Sequence, residues 1–324
     1  MKRILITGAS GFVGRHLVGR LSAAHKRAGI EIFGTCFPER PEHCETLAGA
    51  APAVKLFHVD LRSEDEVAGL IRDVRPDRIF HLAAHSQVRT SWDKRRETME
   101  TNLMGTFFLF EAARRLAAAA RILFVSSSDV YGSLAPRARR RPYSEKDRSG
   151  VVSPYAFTKI GGELLAELYA LRDKMAVVVA RPFPHTGPGQ AEVFVCSDWA
   201  RQIVRIERGE APPVLSVGDL RIRRDCLDVR DVVRAYALLM ENGVPGEVYN
   251  VASGCAPALA DILRTLLSFT DRKIEVRADP GRLRKGDIPY LAGSYRKIKA
   301  RTGWAPRIRL ERTLRDVLEY WRGR

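Results

Sequence analysis

Tyr155 and Lys159 stand four residues apart in Ser153-Pro154-Tyr155-Ala156-Phe157-Thr158-Lys159, a pairing of phenol and amine suited to moving a proton. Ser153 is a good helix N-cap and Pro154 a good first-turn residue, so the two side chains fall on one helix face. An ammonium beside a phenol is expected to lower its pKa from about 10 and make it a usable acid or base near neutrality. Ser127 follows the apolar run Ile122-Leu123-Phe124-Val125, within Ser126-Ser127-Ser128-Asp129-Val130-Tyr131-Gly132. Its hydroxyl is placed to hydrogen-bond the same reacting oxygen.

A second group of residues is suited to holding an anion. Thr7-Gly8-Ala9-Ser10-Gly11-Phe12-Val13-Gly14 sets three glycines at equal spacing between an apolar strand and a helical pattern. Gly8 permits a tight turn, Gly11 a close backbone approach to a pyrophosphate, and Gly14 close packing of helix on strand. The amides at the helix start, through Ser10, Phe12 and Val13, then face the phosphates. Asp60 and Leu61 end one predicted strand, where a carboxylate and adjacent backbone suit an adenine amine; His81-Leu82-Ala83-Ala84 ends another, its small alanines leaving room for a ribose. Taken singly, each also reads as a plain strand end. No acidic side chain follows the second strand in Gly34-Thr35-Cys36-Phe37, whereas Arg40 lies close by. An acid there typically holds the hydroxyls of NAD and an arginine the 2'-phosphate of NADP, so NADPH is expected, with NADH open.

These groups need a frame that brings strand ends together. Strands are predicted at Arg3–Thr7, Glu31–Thr35, Val54–Val59, Arg78–Leu82, Arg121–Ser126 and Ala176–Ala180, alternating with helical patterns such as Val13, Leu17 and Leu21. This βα alternation implies an α/β fold with a Rossmann-type doubly wound parallel sheet. After about residue 184 the rhythm breaks into shorter elements. Residues 1–183 are read as the dinucleotide-binding domain, with some later segments returning to it, and 184–324 as a smaller C-terminal α/β domain for substrate. Helical patterns remain clear there at 198–207 and 310–321.

The chain has 324 residues, 45% of them hydrophobic, and a net charge of +16. The charge is mostly dispersed, which argues against a nucleic-acid track. One dense run, Arg137-Ala138-Arg139-Arg140-Arg141, reads either as a solvated loop or as a steering element for a diphosphate. Cys36, Cys44, Cys196, Cys226 and Cys255 are scattered, with no C-x-x-C pair, so neither a disulfide framework nor a metal site is expected. No segment reaches the roughly 18 apolar residues of a membrane helix, and no signal core is visible, so a cytoplasmic protein is expected.

Gly-x-x-Gly-x-x-Gly, a serine after the fifth strand and Tyr-x-x-x-Lys together resemble the extended short-chain dehydrogenase/reductase family over essentially the whole chain. Three later segments look most like the GDP-6-deoxy-4-keto-D-mannose reductases, which make GDP-D-rhamnose: 181–190 (RPFPHTGPGQ), 224–233 (RDCLDVRDVV) and 246–254 (GEVYNVASG). The resemblance implies reduction of the C4 carbonyl of a GDP-linked 4-keto-6-deoxy sugar, with Tyr155 as proton donor, Ser127 orienting the carbonyl, and Lys159 holding the nicotinamide ribose. It places Pro182 among the cofactor contacts, Ser86 and Gln87 beside the sugar, and His185, Phe194 and Val195 along its pocket. Arg201, Arg224 and Arg284 would lie near the diphosphate or ribose, with Asp287 accepting from a hydroxyl; each arginine alone also reads as a surface ion pair. Relatives usually have Asn at Pro184 and an aromatic residue at Cys226, departures that point to a different sugar, such as a 6-deoxy-heptose. Helices around 101–113 and 154–171 are expected to pair a homodimer.

Rival readings are a GDP-mannose 4,6-dehydratase, a sugar C4-epimerase and a non-catalytic dinucleotide sensor or scaffold. Dehydratases place a carboxylate two residues after the catalytic hydroxyl residue, and Asp129 occupies that position; it also suits a structural turn. The intact Tyr155 and Lys159 argue against the sensor.

Overall fold

Ile4-Leu5-Ile6 and Val177-Val178-Val179 are apolar at every position because their strands are covered on both faces. In the computed structural model, which describes residues 2–38, 41–51, 53–132, 141–147, 149–283 and 288–324, these runs lie inside a seven-stranded parallel sheet. Its order is β3 (Val54–His58), β2 (Ile30–Cys36), β1 (Lys2–Thr7), β4 (Arg78–His81), β5 (Arg121–Val125), β6 (Ala176–Pro182) and a seventh strand, Val248–Val251. Arg40, Arg284, Asp287 and residues 137–140 of the basic run lie outside the described residues.

Alternate side chains feed two cores. Ile4, Ile6, Leu123 and Val178 pack beneath the helices Phe12–Ala28 and Val229–Asn242. Leu5, Ile122, Phe124, Val177 and Val179 pack beneath Glu64–Val74, Gly105–Leu116 and Pro154–Arg172. A third apolar cluster is built from Trp199, Ile203, Leu215, Leu263, Leu314 and Leu318. It joins the helices Val195–Glu207, Leu259–Leu267 and Leu310–Arg322 to the short strand Val214–Val217.

The predicted strands agree with the observed ones to within a residue at each end, except that β6 runs on to Pro182. The extension has a partner that the sequence pattern did not offer as a strand: Arg181 and Pro182 pair with Asn250 and Val251 of the seventh. The helical pattern at 101–113 begins in a π-helical turn, Glu100–Met104, before Gly105–Leu116. The expectation about cysteines is corrected. Cys36, the last residue of β2, forms a disulfide with Cys44 in the helix Pro41–Ala50, their Cα atoms 5.7 Å apart. The helix packs against β2 and β3, which brings the two cysteines together, and an eight-residue separation carries no pairing signal in sequence.

The strand order reverses between β1 and β4. At such a switch point the connections leave on opposite sides, and a crevice opens at the carboxyl ends of the strands. The glycine loop follows β1 and Leu82–Ala84 follow β4, so both line this crevice.

Candidate active site

The Ser153 hydroxyl accepts from the Ala156 amide at 3.0 Å and Pro154 occupies the first turn, so the helix Pro154–Arg172 has a fixed start. That start sets Tyr155 one turn before Lys159, both nearly buried. Ser127 leaves the end of β5 beside them. The Tyr155 phenol and Ser127 hydroxyl are hydrogen-bonded, and Ser127 Oγ also accepts from the Asp129 amide at 3.1 Å. Lys159 Nζ donates to the Val125 carbonyl at 2.8 Å and lies 5.8 Å from the centre of the Tyr155 ring.

The phenol departs from the expected direction. Burial raises its pKa and the Asp129 charge raises it further, while the Ser127 hydrogen bond opposes both. Burial also pulls Lys159 down to about 8, against the charge of Glu163. Desolvation outweighs the attraction of ammonium for phenolate, because the ammonium is turned to a main-chain carbonyl. Tyr155 is therefore protonated at neutral pH and can give a proton. His81 is not a second proton carrier: burial and the Lys159 charge hold it near 3, its ring between Thr7 Oγ1 (2.7 Å) and Thr106 Oγ1 (2.9 Å).

The glycine loop is built to keep its main chain bare. Gly8 has φ +70°, its amide donates to Thr35 Oγ1 at 3.1 Å, and a Cβ there would stand 2.9 Å from Ala83 Cα. At Gly14 a Cβ would stand 2.6 Å from the Ala9 carbonyl oxygen. Gly11 starts the helix Phe12–Ala28 with no side-chain cap, so no side chain competes for the first-turn amides that Ser10, Phe12 and Val13 border. Ala83 and Ala84 are half-buried across the crevice, Leu82 packs on the first core, and Pro182 is buried at the end of β6. Asp60 is already committed: Arg62 grips its carboxylate through Nε and Nη2, at 2.9 and 2.6 Å to Oδ2. Burial favours protonating Asp60, yet the Arg62 guanidinium and amide hold its pKa below the ordinary carboxylate value. Leu61 points into the second core, leaving its backbone as the part available to a ligand.

The residues expected around the sugar are less tightly grouped. His185 stacks parallel to Phe12, centroids 6.2 Å apart, which joins the glycine loop to the segment after β6. Ser86 and Gln87 are exposed just past Ala84, and Gln87 accepts from Thr90. Phe194 caps the helix Val195–Glu207 and Val195 is exposed beside it. Arg201 pairs with Glu192 at 2.8 Å, both partly exposed, and Arg141 pairs with Asp147 at 2.9 Å. Arg224 donates to the carbonyls of Ile288 and Arg223, tying its short strand to the chain beyond. The carbonyl of Pro184 accepts from Leu227 at 2.9 Å, and the Cys226 thiol is hydrogen-bonded to Cys196.

Several polar groups were not singled out by sequence. Asn102, in the π-helical turn, accepts from the His85 amide at 2.7 Å and donates to Thr158 at 3.1 Å, fastening the crevice wall to the Tyr155 helix. Glu163 and Arg181 form a buried ion pair beneath Ser127 and Lys159. For Glu163 a signal existed: it continues the Tyr155–Lys159 stripe by one further turn.

Comparison with known proteins identifies the family of the chain. The family model described as GDP-mannose 4,6 dehydratase matches residues 5–317. GDP-6-deoxy-D-mannose reductase of Pseudomonas aeruginosa is 34% identical over all of this chain and 98% of its own length. The structure of RMD from Pseudomonas aeruginosa complexed with NADPH covers both chains fully, with 33% identity and a TM-score of 0.84. UDP-glucose 4-epimerase of Thermotoga maritima, solved with UDP-glucose, has 26% identity and a TM-score of 0.85 over 99% of each chain. A family match over nearly the whole sequence, on this sheet, makes the chain a member of the GDP-mannose 4,6 dehydratase family of extended short-chain dehydrogenases/reductases.

Proposed function

We propose that the protein is an NADPH-dependent nucleotide-sugar 4-ketoreductase, acting on a GDP-linked 4-keto-6-deoxy sugar. The observation that carries the reading is the protonated Tyr155 phenol, hydrogen-bonded to Ser127 and kept from ionising by burial and Asp129. Reduction of a carbonyl needs an acid at that point, and a phenol that resists ionisation arrives with its proton. The full-length similarity to a GDP-6-deoxy-D-mannose reductase supports the same direction of chemistry.

Gly8, Ser10, Gly11, Phe12, Val13 and Gly14 hold the pyrophosphate; Asp60 and Leu61 border the adenosine, with Arg40 the proposed partner of a 2'-phosphate; Leu82, Ala83, Ala84 and Pro182 flank the nicotinamide end. NADPH, with NADH the other option, supplies the hydride when bound. Ser127 orients the carbonyl oxygen, Tyr155 donates its proton as charge develops there, and Lys159 holds the ribose. Residues 1–183 with the seventh strand form the cofactor domain, and 184–324 mainly the sugar domain. Ser86, Gln87, His185, Phe194 and Val195 border the sugar, while Arg201, Arg224 and Arg284, with Asp287, take the diphosphate and ribose. Arg201 must exchange Glu192 for phosphate, which a bidentate dianion favours.

A homodimer suits the surface. Phe157, Leu164, Leu168 and Leu171 are exposed along one stripe of the helix Pro154–Arg172, with Met104 on the neighbouring helical turn. A second copy presenting the same stripe covers it. NADPH and nucleotide sugars are held in the cytoplasm, where such an enzyme works; no described helix is long and apolar enough to cross a membrane.

One observation favours a second reading. The Asp129 carboxylate acts on the Tyr155 phenol and stands two residues after Ser127, where a dehydratase needs a carboxylate. Incubation with GDP-6-deoxy-4-keto-mannose and NADPH, followed at 340 nm, is expected to consume the cofactor, whereas GDP-mannose alone is expected to remain unchanged. Conversion of GDP-mannose to a 4-keto product would replace the reductase reading with the dehydratase.

A further inference from the structure

Tyr155, Lys159 and Glu163 recur every four residues on one stripe of the helix Pro154–Arg172, and only the first two are used by the proposed chemistry. The Glu163 carboxylate is deeply buried, side chain 9% exposed, and fully occupied. Arg181 of β6 grips it through Nε at 2.8 Å and Nη2 at 2.6 Å. Ser126, next to Ser127 at the end of β5, donates its hydroxyl to the same carboxylate. Arg181 continues to the Tyr131 hydroxyl at 3.0 Å, which donates to Asn250 of the seventh strand at 2.7 Å. Gly162 lets the helix settle on the Phe124 ring, so the arrangement is close-packed.

We propose that Glu163 is a positioning residue for the catalytic set: held by Arg181, it ties the Ser126–Ser127 strand end to the helix that carries Lys159, and places a fixed negative charge one turn from the ammonium. The inference rests on the reading that Lys159 and Tyr155 serve a bound nicotinamide cofactor. Burial lowers the pKa of the lysine, and the Glu163 charge works against that. The other polar or charged groups facing this region are His81 from β4, held neutral; Ser127 and Asp129 beyond β5; Tyr155 on the same helix; and Arg181 from β6. Arg181 cancels part of the Glu163 charge but also pins it, so the charge that acts on the ammonium sits on a carboxylate held in place. With Tyr155 raised, Lys159 is the first of the pair to lose its proton as pH rises.

The test is Glu163→Gln, nearly isosteric but uncharged, compared with wild type in two pH series: kcat for ketoreduction, and NADPH affinity by fluorescence without sugar. The alkaline limb of both profiles is expected to move about one pH unit toward acid. The double variant Glu163→Gln/Arg181→Met leaves no unpaired buried ion, so it keeps the test available if the single variant folds poorly. It is expected to move the same way. Limbs that stay at the wild-type pH in the folded variant overturn the proposal, since a purely structural role alters melting temperature and maximal rate without moving a titration. Wild-type inactivity toward 4-keto sugars would refute the ketoreductase reading alone, because the NADPH series tests the coupling separately.

Discussion

Two alanine substitutions on one helix should have opposite outcomes. Gly14 and Gly19 both lie in Phe12–Ala28; a Cβ at Gly14 meets the Ala9 carbonyl oxygen at 2.6 Å and Gly8 oxygen closer still, while at Gly19 nothing lies within 4 Å. Relieving the Gly14 clash requires the helix start and glycine loop to separate by roughly 1 Å, since the obstructing atoms are backbone; overpacking of this kind costs about 1–3 kcal/mol, offset by about 1 kcal/mol of helix propensity. The larger effect falls on NADPH. Hydrogen bonds to charged groups contribute about 1.5–3 kcal/mol each, and misaligning one of them weakens binding roughly 10- to 150-fold. Gly19→Ala gains about 0.8–1 kcal/mol. With an unfolding entropy of about 2.1 cal/mol/K per residue over 324 residues, that raises Tm by about 1.5 °C. Fluorescence titration with NADPH and thermal unfolding of both variants provide the assay. Gly14→Ala with wild-type affinity and wild-type Tm would refute the argument that close approach of helix to loop builds the phosphate site.

Tyr155→Phe should retain NADPH affinity and lose about 10²- to 10⁴-fold in kcat, measured by stopped-flow oxidation of NADPH; retained turnover would assign the proton donor elsewhere. Asp225 is buried, accepts from the amides of Ser253 (2.9 Å), Gly254 (3.1 Å) and Gly293 (3.2 Å), and is pushed by burial up to about 6. Its folded pKa exceeds the unfolded value of about 3.9, so the native state binds the extra proton and stability falls as pH rises from about 4 to 6, by on the order of 3 kcal/mol. Urea unfolding across that window should show this slope in wild type and lose it in Asp225→Asn. Replacing Leu164 and Leu168 by glutamate should convert a dimer to monomer in sedimentation velocity, with the melting transition little changed; an unchanged sedimentation coefficient would exclude that stripe as the interface.

The residues most legible in sequence were those whose meaning is local. Tyr155 and Lys159 are joined by helix geometry, and the glycine loop by a strand-to-helix turn, so spacing alone brought their side chains together. Glu163 and Arg181, or Arg181 and Asn250, meet only because β6 lies between the Tyr155 helix and the seventh strand, a relation that no local period encodes. The direction of the Tyr155 shift was hidden for a related reason. Spacing reports that Lys159 is near, but burial and the turn of its ammonium toward Val125 decide which influence prevails. Cys36 and Cys44 show the same limit over a short distance, where the packing of the helix on β2, not the separation, makes the bond.

The seventh strand also bears on how the molecule comes into being on the ribosome. Until residues 248–251 emerge, β6 stands at the edge of the sheet with its backbone donors and acceptors open, and Val177-Val178-Val179 is the kind of segment that pairs with another nascent chain. The third apolar cluster is assembled almost entirely from residues on either side of that strand, so the strand that closes the edge is flanked by segments whose own partners arrive later still. Such delayed, non-local pairing is slow by nature. The polar chain from Glu163 through Arg181 and Tyr131 to Asn250 spans that closing pair, so the strand that completes the seven-stranded sheet also completes the surroundings of the helix that carries Tyr155 and Lys159.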